Sequence, residues 1–109
     1  MAERTSDQHE LLRAVEALIF AANEPITASS LCRLVSQADE ELGDGVGPAA
    51  IEELVDVLND EYAERGRSFR IRHWAGGYRM STESELSHFL EEMFAEERER
   101  TLSRSLIET

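Results

Sequence analysis

Four carboxylates recur at four-residue steps, Glu52, Asp56, Asp60 and Glu64, with Glu53 beside them. On a helix, residues four apart share a face, so these five form one acidic strip. A strip of that kind could serve acid–base chemistry or dock a basic partner segment. No pair within it stands out as a catalytic dyad, because acids are abundant throughout. Asp and Glu number 23 against 11 bases, all arginine, for a net charge of −12. A second concentration has the opposite sign: Arg65, Arg67, Arg70, Arg72 and Arg79 crowd around Trp74. Exposed Trp and Arg are over-represented among binding hot spots, so Arg70, Arg72, Trp74 and Arg79 are candidate interface residues.

The other groups able to do chemistry are scattered. His9, His73 and His88 lie far apart, and none has a second ligand at zinc-site spacing. Cys32 has no histidine nearby in sequence and reads as a small buried apolar group rather than a nucleophile. Gly76-Gly77 reads as a turn and lacks the spacing of a phosphate-binding loop. The chain therefore reads as a non-enzyme with no metal and no cofactor. A lone cysteine precludes an internal disulfide and fits a reducing cytoplasm. No apolar run approaches the ~18 residues of a membrane span, and the polar N-terminus lacks the apolar core of a secretion signal.

A chain of 109 residues, 41% hydrophobic, has room for one small core. Asp7 and Glu10 have capping-box spacing and predict a first helix running to about Ala22. Leu11, Val15, Leu18 and Ala22 share its inward face, flanked by Leu12 and Ile19, while Phe20 projects from nearly the opposite side. That surplus apolar residue joins the candidate interface. Thr27 predicts the cap of a second helix, with Ile26 and Leu31 at the positions of a hydrophobic staple. Residues 37–47, with three glycines and four acids, predict a flexible insertion. A third helix begins at Pro48, with Ile51, Leu54, Val55, Leu58 and Tyr62 inward and Gly66 placed to stop it.

Residues 68–81 then alternate around a glycine turn, predicting a hairpin. Phe69, Ile71, Tyr78 and Met80 form its core face, and Arg70, Arg72, Trp74 and Arg79 its outer face, where Trp74 can approach Arg79 across the strands. Thr82 and Glu85 predict the capping box of a fourth helix, with Leu86, Phe89, Leu90, Met93 and Phe94 down one side. Glu96 to Arg100 reads as a charged connector, after which residues 102–109 look like another capped helix beginning.

Three helices and then a hairpin predict an α+β winged helix, a fold that commonly enters the major groove with its third helix. Here that helix carries the acidic strip, with Arg65 as its only cation, at its end. DNA affinity comes largely from cations that displace counterions, and base readout favours Arg, Asn and Gln. The third helix is therefore not expected to enter a groove. Its carboxylates are either a solvated face or a docking surface for a basic partner; an organism with an acidic proteome offers another source for the charge. Trp74 either covers its neighbours or anchors an interface.

Three stretches resemble one family, segregation and condensation protein B. Residues 16–27, Glu-Ala-Leu-Ile-Phe-Ala-Ala-Asn-Glu-Pro-Ile-Thr, look like its first helix and turn. Residues 75–79, Ala-Gly-Gly-Tyr-Arg, are similar to its wing turn, and residues 102–109 resemble the start of its second domain. The resemblance implies two winged-helix domains in the family, with the N-terminal one associated with dimerisation. It also implies an accessory, non-catalytic subunit of the bacterial condensin complex, associated with the nucleoid. The partners implied are a second copy and the kleisin, segregation and condensation protein A. Through the kleisin comes the structural-maintenance-of-chromosomes (SMC) ATPase. The expected organisation is a disordered segment over 1–7, a winged helix over 8–97, and a connector leading into a second winged helix over 98–109. The strand is more basic than the family pattern at Arg70 and Arg72, with His73-Trp74 before the turn. The alternative is a winged-helix transcription regulator that touches DNA with its arginine-rich wing.

Overall fold

The computed structural model describes the backbone of residues 2–108 and the side chains of residues 7–104. Five helices and one hairpin run in order: α1 Ala2–Ala21, α2 Ala28–Ala38, α3 Glu40–Gly43, α4 Pro48–Glu64, β1 Phe69–Trp74, β2 Gly77–Thr82, a 3-10 turn Ser84–Leu86, and α5 Ser87–Glu108. This is the expected winged helix with one added turn of helix.

The core forms where α1, α2 and α4 meet the inner face of the hairpin. Val15, Ile19, Leu31, Ile51, Val55, Leu58, Tyr62, Ile71 and Tyr78 are buried together there. In α1 the buried pair is Val15 and Ile19, so the inward face is turned slightly from the Leu11–Leu18 stripe read from sequence. The Thr27 cap is as expected: its hydroxyl accepts from the Ser30 amide at 3.1 Å. Helix α4 starts with proline in its first turn and ends in a pair of bonds, Gly66 N–H to Ala63 O and Arg67 N–H to Tyr62 O. That pairing satisfies the orphan carbonyls of the last turn, and it requires the positive φ of Gly66, +63°.

The register Ile71↔Met80 and His73↔Tyr78 puts Phe69, Ile71, Tyr78 and Met80 on one face, as the alternation predicts. Two features lock the wing to the helices. Ile26 forms a one-residue bridge to Tyr78, with bonds of 3.0 and 2.7 Å in the two directions. On the other strand, the Asn59 side chain donates to Ile71 O at 2.9 Å and accepts from Ile71 N at 2.8 Å. One amide thus satisfies both outward groups of a β1 residue, as a third strand would.

Five expectations are corrected. The insertion over 37–47 is not a flexible loop. Asp39 caps α3 by accepting from the Leu42 amide at 3.1 Å, and Gly43 is buried where any Cβ would lie 2.7 Å from Ser36 Cα. The tight turn is Ala75-Gly76, both with positive φ, and Gly77 already belongs to β2. Neither expected capping box opens a helix. Asp7 and Glu10 lie inside α1, which begins at Ala2, and Thr82 closes β2. The expected connector is helical, since α5 passes through residues 96–100 without a break and shows no second start at Leu102. Met1 and Thr109 lie outside the described residues.

Finally, α5 does not pack as the fourth helix of the core. None of its described side chains is buried, with Phe89 65% exposed and Met93 47%. At 22 residues it runs for about 33 Å at 1.5 Å per residue. The whole molecule measures 62 × 31 × 22 Å.

Candidate protein-interaction site

The acidic strip faces solvent. Glu52, Glu53, Asp56, Asp60 and Glu64 are all exposed, while Ile51, Val55, Leu58 and Tyr62 on the opposite side of α4 are buried. Among the described residues no cation pairs with any of the five; Arg65 instead pairs with Glu61 at 3.3 Å. The strip reaches the base of the wing. Tyr78, buried on β2, has its phenol pushed above the ordinary range, first by burial and then by the negative charge of Glu52 and Asp56.

The hairpin arginines divide into two kinds. Arg70 is mostly covered and ties the strand end together. Its Nη1 donates to the carbonyls of Arg67 and Phe69 at 2.8 and 2.6 Å, and its Nε lies 3.2 Å from Glu83 Oε1. Arg72 shares the same carboxylate oxygen at 3.3 Å. Glu83 therefore neutralises much of the positive patch that the strand sequence announces. Arg79 and Trp74 are left as the unpaired groups of the outer face among the described residues, with Trp74 61% exposed. The register sets Arg79 directly opposite Arg72, and Trp74 opposite Gly77. The expected approach of Trp74 to Arg79 is thus a diagonal one, about 7–8 Å between backbones. A like-charged pair directly opposite is unfavourable, and Glu83 beside Arg72 offsets it.

Phe20 stands on a different element and is 76% exposed, as its position off the inward face of α1 predicts. Cys32 is half-buried, and burial pushes its thiol up, away from thiolate chemistry. No group of three or more potential ligands for a metal occurs among the described residues. No helix among them is long and apolar enough to cross a membrane.

A separate cleft lies between the first half of α1, the end of α4 and the start of β1. Its volume is about 310 Å³; Leu12, Leu58, Tyr62 and Phe69 line it together with His9, three arginines (Arg13, Arg65 and Arg67) and two acids (Glu16 and Glu61), and most of its surface is polar. Inside it the Tyr62 hydroxyl donates to Glu16. Burial, that bond and the charges of Glu16 and Glu61 push the phenol well above its ordinary range. Sequence reading misses this cleft, although Arg65 and Arg67 belong to the basic cluster, because its rim comes from three elements.

The chain has clear relatives. The family model described as segregation and condensation complex subunit ScpB matches residues 13–109. Segregation and condensation protein B of Moorella thermoacetica is 34% identical over 99 residues, which is 91% of this chain and 46% of that protein. The chain thus spans about half the length of that relative. A solved structure of a conserved hypothetical protein from Chlorobium tepidum superposes with a TM-score of 0.73 at 38% identity, covering 98% of this chain and 60% of the other. ScpB from Mycobacterium tuberculosis shares the fold, with a TM-score of 0.63 over 84% of this chain and 51% of its own at 24% identity. By the match over residues 13–109, this chain belongs to the segregation and condensation complex subunit ScpB family.

Proposed function

We propose that the chain acts as a non-catalytic protein-interaction unit in a bacterial condensin, serving chromosome condensation and segregation in the cytoplasm, at the nucleoid. In this reading it forms homodimers and binds the kleisin, segregation and condensation protein A, and through it the SMC ATPase. Family membership supplies the complex, and the names of the relatives describe segregation and condensation rather than a reaction. The observation that carries the reading is the exposed acidic strip of α4. On a winged helix this surface would meet DNA, and carboxylates there repel phosphate. The same strip suits a basic partner segment, and the outer face of the wing offers Trp74 and Arg79 as anchors.

The transcription-regulator reading depends on the arginine wing, and Glu83 holds two of its three outer-face arginines. A low-salt titration with duplex DNA separates the two. Weak, sequence-indifferent binding is expected, and tight selective binding overturns the interaction reading. Calorimetric titration with the kleisin then tests the partner. Binding that weakens in Asp56→Arg with Asp60→Arg supports the acidic strip, and no heat with the parent chain removes the kleisin from the proposal. Trp74→Ala is expected to weaken self-association or kleisin binding with the fold intact.

A further inference from the structure

A seam between α1 and α4 changes character along its length. Where Leu11 and Leu12 of α1 face Ala50, Leu54 and Val57 of α4, it is a groove of about 490 Å³ whose surface is mostly apolar. Val57 is 51% exposed there, and Leu11, Leu12 and Leu54 are half-buried, so the groove presents apolar surface to water. Next along the seam lies the cleft described above, which shares His9 and Leu12 with the groove. There the surface turns polar, and Arg13, Arg65 and Arg67 gather.

The arginine end is an exception in a molecule whose net charge is −12. Its two acids are already engaged: Glu16 accepts from Tyr62 and Glu61 pairs with Arg65. Among the described residues no ion pair holds Arg13 or Arg67. A guanidinium presents a planar fork that fits a carboxylate with two parallel bonds, and these two arginines are open to such contacts. The acidic strip of α4 does not cancel them. Glu52, Glu53 and Asp56 precede Arg65 by about 14–20 Å along the helix. That exceeds the ~8 Å over which exposed charges act at physiological ionic strength. Asp60 and Glu64 are nearer, but they lie about 100–140° around the helix from Arg65.

We infer that this seam binds a short apolar and acidic segment of another protein, with its apolar side chains in the α1–α4 groove and its carboxylates on Arg13 and Arg67. The groove alone would accept any apolar side chain; the arginines select a segment that turns acidic at one end. Such a partner is distinct from the basic one proposed for the acidic strip, since the two surfaces call for opposite charge. The test is a fluorescence anisotropy titration of the chain with two labelled synthetic peptides. Both carry the same amphipathic, leucine-bearing sequence, and one ends in aspartates, the other in asparagines of the same shape. The aspartate-tailed peptide is expected to bind saturably, about tenfold or more tighter than the asparagine-tailed one. In Arg13→Glu with Arg67→Glu that order is expected to reverse, because the acidic tail then meets like charge. Val57→Glu puts a charge into the groove and is expected to weaken both peptides by about tenfold. Circular dichroism checks that each variant keeps its helices.

Equal binding of the two peptides overturns the inference, as does an absence of saturable binding or indifference to Val57→Glu. A parent dimer that Val57→Glu dissociates in sedimentation equilibrium also overturns it, because a second copy would then fill the groove. Kleisin binding without peptide binding removes this inference and leaves the proposed function. Peptide binding without kleisin binding does the reverse.

Discussion

Helices α4 and α5 look alike as sequence and end in different situations. Both are long and acidic, and each carries a run of large apolar residues at helical spacing. In α4 that run is buried: Ile51 is fully covered, and Val55, Leu58 and Tyr62 nearly so. In α5 the corresponding run, from Leu86 to Phe94, meets no core. The difference does not come from composition. It comes from how each helix is joined to the hairpin: α4 is closed by Gly66 and handed to β1, which Asn59 ties straight back onto it. The chain enters α5 at the open end of the hairpin, where Thr82 pairs with Phe69, and from there the helix buries none of its described side chains. Periodicity reports that a face needs covering; it is silent on what covers it.

The sharpest way to break this comparison is to truncate one large side chain on each helix. Ile51→Ala is expected to cost about 2–5 kcal/mol in urea denaturation, from lost burial and the cavity it leaves. Phe89→Ala, measured where the chain is monomeric, is expected to stay within about 0.5 kcal/mol. Equal losses would mean that α5 folds back onto the domain. A smaller effect is expected at Asn59, which α4 uses to hold the wing. Asn59→Ala leaves the amide and carbonyl of Ile71 without partners in a half-buried site, at roughly 1–3 kcal/mol. Faster hydrogen exchange at the Ile71 amide would accompany it, and unchanged exchange would show that water replaces the bond.

These two helices also mark where sequence reading works. The inward face of α4 and both faces of the hairpin were legible because burial there obeys a single period, 3.6 in one and 2 in the other. The Thr27 cap was legible because its partner is three residues away. What escaped was set by long-range pairing. Nothing near Ile26 announces a bridge to Tyr78, and the role of Glu83 depends on β1 folding back to within reach of it. Gly77 looked like half of a turn, yet its lack of a side chain serves the bridge, since a Cβ there would lie 2.9 Å from Ile26 backbone atoms. Asn59 did leave a trace, as a polar residue beside Leu58 and four after Val55, where a side chain needs a partner. For the candidate site, the outward acidic strip was readable in full. The positive patch was overestimated, because the carboxylate that binds Arg70 and Arg72 lies beyond the other strand.

The contrast extends to alkaline pH. Both tyrosines of the chain belong to the packed region and neither to α5. Each phenol keeps its proton to higher pH in the folded state than in the unfolded chain, where it ionises near pH ~10. Proton release therefore favours unfolding. The stability these groups contribute is complete below about pH 10 and falls as pH rises through the folded-state values. A melting temperature that declines above about pH 10, and declines less in Tyr62→Phe, is the expected result. A flat profile would place Tyr62 in solvent.

The smallest expected effect is a gain. Ala75 holds φ at +49°, in the left-handed region, and Gly76 at +81° completes a two-residue turn whose twist matches the strands. A residue with a Cβ in that region is strained by about 1–2 kcal/mol, less for Asn, whose side chain bonds locally. Such strain persists only where the surroundings fix the backbone, and here the Ile26 bridge and the Asn59 amide hold the two strands of the wing. Ala75→Asn is therefore expected to raise stability by about 0.5–1 kcal/mol, seen as a higher urea midpoint at unchanged slope. Removing the bridge should change that outcome. With Gly77→Ala in place the hairpin can relax its turn, and the benefit of Ala75→Asn should shrink. A benefit of the same size in both backgrounds would mean that the turn is strained by its own two strands, and that the packed half of the molecule constrains its wing no more tightly than it does α5.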